Sequence, residues 1–192
     1  AGRLSFNFNC FGNLFEQVAK FRAGRSLWAQ IMQEQYGATR PGSMWMRMLA
    51  GGGGGGLTFE QPELNIVRGA YYALICALSG AQTMALCCYD EAYTIPSEYA
   101  QRISLRTMQL LIEEMGLTDT VDPLGGSYYI ETLTNQMRER MQAIMAEVDA
   151  QGGIVKLVTE GAIQAKVSAQ AYRHQREIEN GTFRKVGVNC YR

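Results

Sequence analysis

Residues 44–62 read Met44-Trp45-Met46-Arg47-Met48-Leu49-Ala50, then the six glycines Gly51 to Gly56, then Leu57-Thr58-Phe59-Glu60-Gln61-Pro62. An apolar run ending in a glycine loop and opening into a helix is the signature of a β/α unit. The spacing predicts a strand over Met44 to Ala50. Thr58 to Gln61 has capping-box spacing, and Pro62 suits a first helical turn, so a helix is expected from there to about Leu78.

The same alternation extends to both sides. Upstream, Leu4, Phe6 and Phe8 alternate with Arg3, Ser5 and Asn7, a short strand with one polar face. Leu14, Val18, Phe21, Arg25, Trp28 and Met32 then recur at helical spacing and close at Gly37. Downstream, Thr83 to Tyr89 reads as a third strand, and Ser97 caps a helix ending near Gly116. Strand and helix alternate three times. Repeated β/α units imply a parallel sheet with helices outside it, and the fold class is α/β.

Beyond Asp122-Pro123-Leu124-Gly125-Gly126 the character changes. A long amphipathic helix is expected from about Thr132 to Ala150, a second helical stretch to Asn180-Gly181, and a strand-like tail from Arg184 to Tyr191. The division falls between residues 117 and 126, giving a β/α part over 1–118 and a helical extension over 119–192. Three strands do not close a barrel of eight. The start at Ala1-Gly2-Arg3-Leu4 runs directly into a strand pattern, so further chain is expected upstream.

Composition bounds the function. Of 192 residues 47% are hydrophobic, enough for a substantial core. Lys plus Arg and Asp plus Glu both total 18, which argues against nucleic acid or an anionic membrane as the main partner, while a few local arginines could still meet a small ligand's phosphates. No run of about 18 apolar residues suggests a membrane span, and no signal peptide is visible. Five cysteines without a CxxC pair fit a reducing cytoplasm. A single histidine, His174, excludes a zinc site built on several.

Several residues have two readings. Strands of a parallel sheet are usually apolar on both faces. Arg3, Ser5 and Asn7 on one strand, and Thr83, Ala85, Cys87 and Tyr89 on another, would line a lumen with room for a ligand; equally, the first strand could be the fraying edge of a sheet. The glycine run lacks both GxGxxG spacing and a following Lys-Ser or Lys-Thr, so a flexible or tightly packed loop fits better than a phosphate loop. Asp90-Glu91 stands where barrel enzymes place functional groups, or supplies charge to the next helix N-terminus. Cys87 and Cys88 have no nearby histidine to act as base.

Taken together, Arg3-Leu4-Ser5-Phe6, the helix end from Ala19 to Ala29, Leu57-Thr58 through Asn65-Ile66-Val67-Arg68, Tyr89-Asp90-Glu91-Ala92, Asp122 through Tyr128 and Val186-Gly187-Val188-Asn189 resemble the methylmalonyl-CoA mutase family, in order and along nearly the whole chain. The resemblance implies the last three units of a (β/α)8 TIM barrel, with strands beginning near residues 3, 44 and 83. It implies an acyl-CoA along the barrel axis and adenosylcobalamin over the C-terminal ends of the strands. The cobalamin sits on a separate domain or small partner subunit, since no DxHxxG motif is present in this chain. Arg3, Leu4 and Ser5 match the segment that contacts the CoA substrate, and Glu91 matches the glutamate that binds the adenosyl ribose, with Gly51 beside the cofactor. Asn7, Leu49, Gly51, Ala85 and Cys87 would line the lumen. The reaction implied is a radical 1,2-rearrangement of the acyl carbon skeleton by an oligomeric, cytoplasmic isomerase. The family's catalytic Tyr and His lie on earlier strands, so no catalytic residue or metal ligand is expected here and the fragment alone should be inactive.

Three departures bear on the substrate. Leu49-Ala50-Gly51 stands where methylmalonyl-specific enzymes have a His-x-Gln pair, Ala85 replaces a His, and Cys87-Cys88 replace Asn-Ser. These remove polar groups from the lumen. The expectation is an acyl-CoA other than methylmalonyl-CoA: branched, 2-hydroxyisobutyryl, or alkyl- or arylsuccinyl. An ordinary methylmalonyl-CoA mutase, a non-catalytic structural subunit and a nucleotide-binding domain are the alternatives.

Overall fold

The structure, a computed structural model, describes residues 2–192; Ala1 lies outside them. Three parallel strands, β1 (Phe6–Asn9), β2 (Met48–Gly52) and β3 (Thr83–Leu86), form one sheet in the order β1-β2-β3. The helices α1 (Leu14–Glu34), α3 (Leu64–Leu78) and α4 (Glu98–Glu113) follow them in turn, and a single turn, α2 (Pro41–Met44), precedes β2. The expected α/β order is therefore present, with shifted boundaries.

The strand shifts share one cause, the need for a paired partner. Arg3, Leu4 and Ser5 precede β1, because pairing starts at Phe6 opposite Met48. Residues 44–47 are not in β2: Pro41 starts a helical turn that ends at Met44, and residues 45–47 run from it toward the strand, the Arg47 carbonyl accepting the Phe6 N–H at 2.9 Å. β2 in turn runs into the glycines, since Asn9 pairs with Gly51 and Gly52 with Leu86. β3 stops at Leu86, short of the expected Tyr89, where the chain turns and the Glu91 N–H donates to the Cys88 carbonyl at 3.1 Å.

The capping box is not used either. Helix α3 starts at Leu64 after Glu63, which makes no side-chain cap bond, while the Thr58 hydroxyl donates to the Glu60 carbonyl within the loop. At α4 the expected cap is present, with Ser97 Oγ accepting the Ala100 N–H at 3.1 Å. Asn13 caps α1 in the same way.

One face of the sheet packs on the helices. Phe8 meets Phe21 edge-on at 5.8 Å and Phe6 meets Trp28 at 5.0 Å. Behind them Cys10, Val18, Met48, Ala50, Ile75 and Cys76 form the fully buried centre.

The long helix α5 (Tyr128–Ala150) begins one turn before Thr132, and the stretch after it is two helices, α6 (Ile154–Thr159) and α7 (Ala162–Glu179), broken at Gly161 with φ +76°. The tail forms only a bridge between Val186 and Cys190 rather than a strand. The chain divides into two compact units, Ala1–Arg138 and Glu139–Arg192. In the first, Arg22 on α1 donates to Asp122 at 3.0 Å and to Glu131 at 2.8 Å, joining the Asp-Pro turn and the start of α5 to the β/α layer. In the second, Leu157 is the buried apolar side chain, and Lys166 pairs with Glu147 at 2.8 Å.

Candidate functional site

The alternation of a strand sends one set of side chains to the helices and the other to the opposite face. Phe6, Phe8, Met48, Ala50, Gly52, Met84 and Leu86 take the helix side. Asn7, Asn9, Leu49, Gly51, Thr83 and Ala85 take the other, which no element of the described residues covers. The register aligns them in rows: Asn7–Leu49–Thr83, and above it Asn9–Gly51–Ala85. Four of the residues expected on one lumen face, Asn7, Leu49, Gly51 and Ala85, thus share one open face. Cys87, half-buried, follows Ala85 at the next position of the alternation.

Because the strands are parallel, this face has two distinct ends, roughly 16 Å apart along the five residues of β2. At the N-terminal end lies an open pocket of about 520 Å³ lined by Gly2, Arg3, Arg40, Gly42, Ser43 and Arg47. A second, of about 550 Å³, is lined by Ser5, Trp45, Arg47, Met48, Leu49, Gln82 and Thr83. Arg3 and Ser5 therefore sit in neighbouring pockets that share Arg47. Leu4 is 53% exposed and lines neither. Among the described residues Arg3, Arg40 and Arg47 have no acidic partner, so their charge is unspent. The sequence reading missed Arg40 and Arg47. No periodicity marks Arg40, whose place comes from the turn at Pro41.

At the C-terminal end the glycine loop and the turn after β3 meet. Gly53 lies so close to Asn9 that a Cβ there would stand 2.7 Å from Asn9 Oδ1, and one on Gly56 would stand 2.5 Å from Tyr72 Oη. The run is thus a tightly packed loop at two of its positions. Asp90 and Glu91 differ in burial and partners. Asp90 is 3% exposed and its Oδ2 accepts the Ser97 N–H at 2.9 Å, bracing the start of α4. Glu91 is exposed, held by the Cys88 N–H at 2.6 Å on Oε1. Burial pushes the Cys87 thiol up to about 11, the Glu91 charge adding to it, so the thiol stays protonated near neutrality. Cys88 is raised for the same reasons. No group of three His, Cys, Asp or Glu that could hold a metal ion occurs among the described residues.

The open face thus has arginines at one end, an exposed carboxylate at the other, and Gly51 and Ala85 as its smallest positions between them. The family model described as Methylmalonyl-CoA mutase matches residues 1–192. The chain belongs to the methylmalonyl-CoA mutase family. It is 42% identical over 191 residues to the 2-hydroxyisobutanoyl-CoA mutase large subunit of Aquincola tertiaricarbonis. It is 42% identical over 192 residues to a methylmalonyl-CoA mutase of Cereibacter sphaeroides, and 37% to that of Escherichia coli strain K12. All of this chain is covered in each case, but only 34% of the first relative and 27% of the other two. The chain therefore spans about a third or less of these mutase-family relatives. No helix among the described residues is long and apolar enough to cross a membrane.

Proposed function

We propose that this chain is the C-terminal part, the last three β/α units and the helical extension from residue 119, of a (β/α)8 acyl-CoA mutase that isomerises the carbon skeleton of its substrate. The observation that carries this reading is the polarity of the open face. Unpaired Arg3, Arg40 and Arg47 at its N-terminal end suit the phosphates of a CoA nucleotide. Leu4 and Ser5 belong to the same contact segment, and Asn7, Leu49, Gly51, Ala85 and Cys87 line the path of the acyl arm.

At the other end, the exposed Glu91 carboxylate, held by the Cys88 N–H and flanked by the Cys87 and Cys88 thiols, can accept hydroxyls. That fits the ribose of adenosylcobalamin, with Gly51 leaving room beside it. When bound on a separate domain or partner subunit, this cofactor supplies the radical. The residues of this chain position both ligands, and the enclosing barrel keeps water from the reacting centre. The principal catalytic groups lie on the upstream strands of an oligomeric cytoplasmic enzyme, so the fragment alone is inactive.

Leu49, Ala85 and Cys87 make the path less polar than a methylmalonyl group needs, which supports a branched, 2-hydroxyisobutyryl or alkyl- or arylsuccinyl thioester as substrate. Ordinary methylmalonyl-CoA turnover is the second reading, favoured by the equal 42% identity to a methylmalonyl-CoA mutase.

Calorimetric titration of the complete subunit tests the assignment of the ends. Arg47→Ala and Arg3→Ala should each weaken CoA thioester binding roughly tenfold, with a shallower salt dependence, while leaving the matching pantetheine thioester unchanged. Equal weakening of both thioesters would remove the arginines from the nucleotide end.

A further inference from the structure

Asn9 was not among the residues that the sequence pattern singled out, although it continues the series Arg3, Ser5, Asn7 by one more step. It stands at the C-terminal end of the open face, in a row with Gly51 and Ala85. Adjacent strands lie roughly 4.8 Å apart, so two positions beside Asn9 carry nothing larger than a methyl group.

The residue is fixed from both sides. Its main-chain carbonyl accepts the Lys20 ammonium at 2.8 Å. Its carboxamide lies flush against the Gly53 backbone, where a Cβ would come within 2.7 Å of Oδ1, 2.9 Å of Cγ and 3.4 Å of Nδ2. Only glycine leaves that carboxamide in place. Asn9 is exposed on the open face, and its Oδ1 and Nδ2 make no hydrogen bond among the described residues, so one acceptor and two donors remain available to a ligand that covers the face.

We infer that the Asn9 carboxamide reads a hydrogen-bonding substituent, a hydroxyl or a carboxyl, on the acyl group of the substrate. This rests on the proposed reading of the open face as the substrate path and deepens it. Once water is excluded, a purely alkyl acyl group would leave a buried carboxamide unpaired, whereas one with a hydroxyl or carboxyl restores the bonds. A site built to bond a substituent rejects the analogue that lacks it. The bare row of Gly51 and Ala85 takes the alkyl remainder, and Asn9 sets which side carries the polar group.

The test uses the complete large subunit with its cobalamin-binding partner and three probes: 2-hydroxyisobutyryl-CoA, methylsuccinyl-CoA, and isobutyryl-CoA, which has neither group. Dissociation constants are measured by calorimetry for the wild type, Asn9→Ala and Asn9→Asp, with melting curves as the folding control. The wild type should bind at least one of the two substituted probes roughly tenfold more tightly than isobutyryl-CoA. Asn9→Ala should abolish that preference, weakening the substituted probe and tightening isobutyryl-CoA, which no longer leaves a carboxamide unpaired. Asn9→Asp should weaken methylsuccinyl-CoA by about tenfold or more through like-charge repulsion and retain the hydroxyl probe better than the carboxyl one. A wild type that binds all three alike, a preference that survives Asn9→Ala, or a carboxyl probe unaffected by Asn9→Asp would overturn the inference while leaving the mutase reading intact. Binding of none of the three would overturn both.

Discussion

Asn65 and Thr58 bond to each other twice: the Thr58 N–H donates to Asn65 Oδ1 at 3.0 Å, and Asn65 Nδ2 donates back to the Thr58 carbonyl at 2.8 Å. The same Nδ2 also donates to the Tyr89 carbonyl at 2.9 Å. A side chain 1% exposed thus stands in for a strand partner, tying the end of the glycine loop to α3 and to the turn that carries Glu91. Asn65→Leu leaves the Thr58 N–H, the Thr58 carbonyl and the Tyr89 carbonyl short of partners in the interior. The expected loss is about 2–4 kcal/mol of stability, read as a lower denaturant midpoint of the complete subunit.

The six glycines are not equivalent. A Cβ on Gly54 meets nothing within 4 Å, whereas one on Gly56 would lie 2.5 Å from Tyr72 Oη and 2.9 Å from its ring. Gly54→Ala should be nearly neutral in thermal melting, and Gly56→Ala should cost about 1–3 kcal/mol through overpacking. Equal tolerance at both positions would show that the loop is slack.

The Arg22 network gives stability a defined acid limit. Its hydrogen bond holds the Glu131 carboxyl below its ordinary value of 4.5, with the Gly126 N–H adding to the effect. A carboxyl depressed in this way adds stability above its unfolded value, and the contribution is lost as pH falls through the folded value. The melting temperature of the wild type should therefore drop below about pH 4.5 more steeply than that of Arg22→Ala. At neutral pH the variant should already be less stable, by about 1 kcal/mol for the bidentate Asp122 pair alone.

Cys87 should behave as an inert thiol. With its pKa pushed up to about 11, alkylation by iodoacetamide at pH 7.5 should run roughly a hundredfold slower than for an unperturbed cysteine. Glu91→Gln removes a neighbouring charge that favours the protonated form, so the rate should rise. Peptide mass spectrometry over a time course measures both.

The sequence showed the order of strands and helices because alternating and helical periodicities come from local burial, as with Leu14, Val18 and Phe21 in α1. Strand ends were less legible. The Arg3-Ser5-Asn7 alternation begins before the pairing does, and pairing depends on where β2 starts, after the turn at Pro41. Thr58 to Gln61 looked like a cap because its side chains suit one, but the Thr58 hydroxyl donates to the Glu60 carbonyl and accepts from Arg68 instead. Of the open face, Asn7 and Ala85 follow from alternation, while Leu49 and Gly51 follow from the family resemblance. Asn9 continues the same alternation, but its row with Gly51 and its contact with Gly53 appear only in the structure, and Arg40 stands out only through a pocket formed by a turn.

The most direct measurement incubates the complete protein, with a cobalamin-binding domain fused or supplied as a separate subunit, and adenosylcobalamin with methylmalonyl-, isobutyryl-, 2-hydroxyisobutyryl- and alkylsuccinyl-CoA, and follows carbon-skeleton isomers by mass spectrometry. A rearranged product from one of the last three, formed faster than succinyl-CoA from methylmalonyl-CoA, is the expected result. Methylmalonyl-CoA matching or exceeding all of them, or no rearranged product from any, would contradict it.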